Sequence, residues 1–146
     1  LGLVGRTCPL RADHRQGVLL NLEKVIFGFF IIFACTLNFG FFIGDLDRLE
    51  LHHPFELFAA VVVNLIATVL KFGDRTQVGA THLATSLVAT FQLLAASLVW
   101  VWQVYVAKAP MDGEMISVVV SLSGGALLAN VVSVILLLGE TLRQGR

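Results

Sequence analysis

Three asparagines, Asn38, Asn64 and Asn130, each fall inside a long apolar run of this chain. A carboxamide carries both donors and acceptors. Taken from water into an apolar setting without a partner, such a group costs roughly 2–7 kcal/mol. The three must therefore meet other polar groups, either as ties between helices or as the lining of a path for a small solute or ion. Asn64 and Asn130 each precede a glycine by nine residues (Gly73 and Gly139). At helical rise that is about 13 Å. Asn38 belongs to nearly the same plane, so one cluster of all three is expected.

A second constellation follows helical spacing. His82, Ser86 and Thr90 recur every four residues, on one helix face. Thr81, Thr85 and Gln92 follow a neighbouring face. Histidine titrates near neutral pH, so the first stripe has the chemistry of a proton or polar relay. The competing reading is an interfacial histidine still in reach of water. His52, His53 and Glu56, with Asp45 and Asp47 upstream, offer imidazole and carboxylate groups suited to zinc or copper. They are weak metal candidates, because Pro54 interrupts them and no ligand spacing is present. A solvated acidic loop is expected there, with no metal and no cofactor. Cys8 and Cys35 have no metal or redox spacing, and Cys35 reads as a small apolar filler.

Catalytic signatures are missing. The chain has no G-x-S-x-G, no H-E-x-x-H and no phosphate loop. No Asp or Glu lies well within an apolar run, which argues against a carboxylate-driven proton pump. Thr36–Asp45, TLNFGFFIGD, superficially resembles a potassium filter, but a helix explains it better. No enzyme activity is expected.

The elements that must position these residues are four apolar runs, Val25–Gly44, Phe55–Phe72, Leu83–Val106 and Ile116–Leu138. Each is 18 to 24 residues long, enough for a helix to cross a hydrocarbon core of about 30 Å. Composition agrees: 57% hydrophobic, 14% charged and a mean hydropathy of +0.86, where a soluble domain carries about 25% charge. Net charge is zero, which gives no reason to expect nucleic acid as a partner. The fold class is all-α, an integral membrane four-helix up-down-up-down bundle, with the lipid bilayer as its first partner. Residues 20–142 form the bundle, with spans near 25–44, 55–72, 80–106 and 116–138, and 143–146 a short cytoplasmic end. Residues 1–19 lack apolar periodicity and are expected to be disordered or non-native, with a true start near Val18–Asn21. No cleavable signal peptide is read, because the first run is full-length.

Eight of the ten Lys and Arg residues fall on one side if both termini share it. The positive-inside rule then makes both termini cytoplasmic. Pro54 suits the first turn of the second helix, Gly73 a left-handed end to it, and Asp112-Gly113 a turn. Trp100, Trp102 and Tyr105 read as an aromatic belt, and Lys71 with Arg75 as a contact for anionic lipid heads. The third run is long, so tilt or an extension is expected.

Small residues mark packing faces: Gly40 and Gly44 in the first run, and Ser121, Gly125, Ala129 and Ser133 in the fourth. They serve either packing within the chain or the seam of a homo-oligomer, and Gly124-Gly125 would permit a kink. AVVVNLIATVLKFGD (60–74) and ALLANVVSVILLLGE (126–140) align without a gap at an offset of 66. A parallel duplication of a helical hairpin would explain this, and chance among apolar helices is the rival.

Asn21–Phe30 (NLEKVIFGFF), Thr36–Asp45, Glu56–Gln77 and Ser121–Val134 together resemble a small family of bacterial inner-membrane proteins with four spans and no known function. That resemblance covers about Leu20 to Leu142 and implies a multi-pass protein of the bacterial inner membrane. Two functions are carried forward. One is a non-enzymatic oligomeric or accessory subunit of a larger membrane complex. The other is a small ion or solute channel or transporter built on Asn38, Asn64 and Asn130.

Overall fold

A computed structural model describes residues 10–44 and 52–145. Within them run α1 (Leu10–Phe42), α2 (Pro54–Lys71), α3 (Gln77–Val101) and α4 (Gly113–Gln144), and no strand is present among the described residues. Leu22–Phe42, Pro54–Lys71, Gln77–Val106 and Gly113–Gln144 are each long and apolar enough to cross a membrane. The fold is the expected all-helical bundle. Each helix packs on its chain neighbours, and α4 closes against α1.

Local chemistry sets the boundaries. Pro54 opens α2 where its missing N–H costs nothing, with Glu56 in the positive first turn. Thr76 caps α3 by accepting the Gly79 N–H at 3.0 Å. Asp112 caps α4 by accepting the Met115 N–H at 2.9 Å. Asp112-Gly113 is thus a helix start and not the turn expected from the dipeptide. Gly73 likewise takes no left-handed conformation; no described glycine has positive φ. Instead α2 tightens at its end, with the Phe72 N–H reaching the Val69 carbonyl and the Asp74 N–H the Lys71 carbonyl. α3 runs on into a π-helical turn, Trp102–Val106, which accounts for the unusual length of the third run. Lys108, in the joint after it, has φ of 49°.

Three further expectations are corrected. Residues 10–19, read as part of a disordered tail, continue α1. Their Leu, Arg, Ala and Gln content favours helix. Trp100 is buried and meets Phe41 edge-on at 6.2 Å, whereas Trp102 and Tyr105 are exposed as belt residues would be. α4 is one continuous helix through Gly124-Gly125. These two glycines face the Phe42 ring and the Gln92 amide, so they serve close approach. Residues 1–9, 45–51 and 146 lie outside the described set. They hold Cys8 and the acidic Asp45, Asp47 and Glu50.

The outside of the bundle is apolar and the inside is not uniformly so. Phe29, Val69, Phe91, Leu128 and Ile135 all face outward, as lipid requires. Inside, Phe41, Leu57, Leu93, Trp100, Met111 and Val119 belong to one large apolar cluster toward the start of α2 and α4. Toward the other end, among the described residues, a smaller buried apolar cluster holds Phe27, Ile31 and Ala67. Buried polar side chains fill much of that half.

Candidate functional site

The buried polar side chains arrange themselves as rungs between helices. At the end where α2 and α4 finish, Lys24 of α1 pairs with Glu140 of α4 at 2.8 Å. Lys71 pairs with Asp74 at 3.2 Å. Next inward, the His82 imidazole of α3 meets the Phe27 ring of α1 across the bundle diagonal, 5.0 Å between centroids at 71°. Beyond it, the Thr85 and Ser133 hydroxyls share a proton contact at 2.5 Å between α3 and α4. Thr68 and Thr90 do the same at 3.2 Å between α2 and α3. Further still, the Ser123 hydroxyl of α4 donates to Asn38 Oδ1 of α1 at 2.5 Å. Each such bond holds two helices together with about 0.6–2 kcal/mol.

All three asparagines are fully buried. Among the described residues no hydrogen bond joins one of them to another. Asn38 is drawn to Ser123 in the α1–α4 seam. Asn64 donates from Nδ2 to the Ala60 carbonyl of its own helix at 3.0 Å. Asn130 has neither carboxamide atom paired. The depth was legible from spacing, whereas side-chain direction follows from helix rotation and the nearest acceptor.

His82 also departs from its expected place. It is fully buried instead of lying at the water interface. The Phe27 ring of α1 packs directly on it. Ser86 and Thr90 are buried on the same face, so the stripe read from the sequence lines the interior. Lys71, expected at lipid heads, is only 4% exposed; its ammonium lies 4.7 Å over the Phe27 ring. Arg75 beside it is exposed.

The α2–α3 joint turns on Asp74. Its Oδ1 accepts from the Thr76 N–H at 3.0 Å and the Thr76 hydroxyl at 2.7 Å. Partial burial alone would raise the Asp74 pKa, but these bonds and the Lys71 ammonium outweigh it and hold the carboxyl below its ordinary value. Its carboxylate packs where a Cβ on Gly79 would sit. Glu23, Lys24, Lys71, Asp74, Glu140 and Gln144 border a cleft of about 560 Å³ at this end.

The remaining candidates sort by position. Gly40 packs under the Glu56 carboxylate and Gly44 under the His52 ring, both within the α1–α2 hairpin. Gly125 packs against Gln92, and Ser133 against Thr85, within the α3–α4 pair. Ala129 packs against the large apolar cluster, and Ser121 is exposed. His52 is buried, and its Nδ1–H donates to the Phe41 carbonyl at 2.7 Å; His53 is exposed. Among the described residues no three His, Cys, Asp or Glu side chains group to hold a metal ion.

Thr68, Lys71, Ser123 and Glu140 were not singled out as inward-facing from sequence. Thr68 carried a signal, since it follows Asn64 by one helical turn. Ser123 and the Lys24–Glu140 pair carried none without knowledge of which helices touch.

Residues 51–141 match DUF6394, a family of unknown function. The chain belongs to this family. The match covers α2, α3 and most of α4, and therefore His82, Asn64 and Asn130 with their helices. No curated protein and no solved structure matches the chain.

Proposed function

We propose that this DUF6394 member is a non-enzymatic, multi-pass subunit of the bacterial inner membrane that admits water and small hydrogen-bonding solutes into its interior from one face. The observation that carries this reading is the set of buried side-chain atoms without partners. Six of them belong to His82, Ser86, Asn64 and Asn130, in the half of the bundle beneath the charged cleft. Buried polar atoms are almost always satisfied, by protein or by water. Uncharged amide and hydroxyl groups that both donate and accept suit water better than a bare ion. The other half holds Asn38 Nδ2, Gln92 Oε1 and Ser97 Oγ among its unpartnered atoms, but sets them around the large apolar cluster.

The Lys and Arg distribution supports placing the charged cleft on the cytoplasmic side, with both termini there. Passage right through one bundle is opposed by Phe41, Leu57 and Leu93. A complete path would need a second copy or a partner subunit, which keeps the oligomeric and the channel readings as parts of one proposal. Gly40, Gly44 and Gly125 pack within the chain, so such an assembly would use another face.

Cysteine labelling in vesicles tests the reading. In a background with Cys8→Ser and Cys35→Ala, a small cationic thiol reagent added at the cytoplasmic face should modify the Ser86→Cys variant and spare Leu93→Cys. Equal protection of both would contradict a water-admitting interior.

A further inference from the structure

We infer that His82 is a proton-binding site, loaded through the charged cleft and held in balance by the groups that share the Phe27 ring. This rests on the water-admitting reading of the interior and names the species it takes up. His82 is fully buried, and neither ring nitrogen has a partner. A neutral imidazole has one donor and one acceptor nitrogen, so one of the two is always able to take a proton. One turn along the same face, Ser86 Oγ is buried and unpartnered as well. A water held between such groups is the ordinary carrier of a proton to a buried base.

The charged groups around His82 come from every neighbouring element. From α2 comes Lys71, whose ammonium lies 4.7 Å over the ring that the imidazole meets at 5.0 Å. From the α2–α3 joint comes Asp74, paired with Lys71. From α4 comes Glu140, paired with Lys24 of α1. His82's own first helical turn contributes no acidic or basic residue. These two cations and two carboxylates are already paired, Glu23 of α1 and Arg75 of the joint also border the cleft, and a proton on His82 adds one positive charge. Burial and then Lys71 oppose that charge, while Glu140 and Asp74 favour it. The Lys71 ammonium and the His82 imidazole meet the same Phe27 ring, so protonation of His82 places a second positive charge beside that ammonium and presses it toward Asp74.

The test uses the full chain with ¹⁵N-labelled histidine in phospholipid nanodiscs. The imidazole shifts are followed from about pH 4 to about pH 9, bracketing the ordinary histidine range. One titrating ring should vanish in His82→Gln. Its midpoint should move to higher pH in Lys71→Met and to lower pH in Glu140→Gln, and these two variants keep the test open if His82→Gln fails to fold. A His82 ring whose shifts do not move with pH would overturn the inference, as would a midpoint unchanged in both neighbour variants. The Ser86→Cys labelling separates the two claims. Labelling with a silent His82 sinks the proton site alone, and an unlabelled interior sinks the reading on which it rests.

Discussion

The Ser123 hydroxyl donates to Asn38 Oδ1 across the α1–α4 seam, with both residues fully buried. Removing the donor alone strands an acceptor in an apolar setting, whereas removing both leaves nothing to satisfy. Ser123→Ala should therefore lower the unfolding free energy in detergent by about 1–2 kcal/mol. Asn38→Leu combined with Ser123→Ala should lose less than the two single losses added together, measured by a double-mutant cycle.

Gly44 and Gly139 are both small residues in or beside helices, yet they should respond oppositely. A Cβ on Gly44 would lie 2.6 Å from the buried His52 ring, which is held by the Phe41 carbonyl. Gly44→Ala must displace that ring and should cost about 1–3 kcal/mol. A Cβ on Gly139 meets nothing within 4 Å, inside α4. Gly139→Ala should gain about 0.5–1 kcal/mol from helix propensity. Thermal unfolding of the two variants side by side checks the contrast.

Asp74 makes stability depend on acid. Its folded pKa lies below the ordinary carboxylate value, so its contribution is present above the unfolded pKa of about 3.9. That contribution is lost as pH falls through the lowered folded value. Asp74→Asn should flatten this acid limb of the unfolding midpoint, and an unchanged limb would show that the Thr76 and Lys71 contacts do not matter in solution.

Lys108 holds a positive φ of 49° in the joint before α4. An L-residue pays roughly 1–2 kcal/mol for that conformation, which glycine adopts freely. Lys108→Gly should raise the unfolding midpoint, with a gain of up to about 1 kcal/mol after the greater freedom of the unfolded glycine chain is set against it.

Much of this architecture was legible because lipid and helical geometry leave few choices. The four spans, the α2 start at Pro54 and the inward turn of Asn38, Asn64 and Asn130 all follow from local rules. What was not legible depends on neighbours. Trp100 has the composition of a belt residue but meets Phe41 across the diagonal. Lys71 looks like a headgroup anchor but is buried over Phe27 by the pairing of α1 with α2. His82 lies near a span end in sequence, yet it is fully buried with the Phe27 ring of α1 packed on it. The partner of Asn38 was hidden for the same reason: spacing gives depth along a helix, not the rotation that selects Ser123, whereas Asn64 turns back to the Ala60 carbonyl of its own helix.

The surroundings of the Asn130 and Asn64 carboxamides test the central claim most directly, read as nuclear Overhauser contacts from their side-chain N–H protons in nanodiscs. The account predicts cross-peaks to water and to neighbouring helices, with none to acyl-chain methylenes. Cross-peaks to acyl chains, or an interior silent to water at both positions, would contradict it.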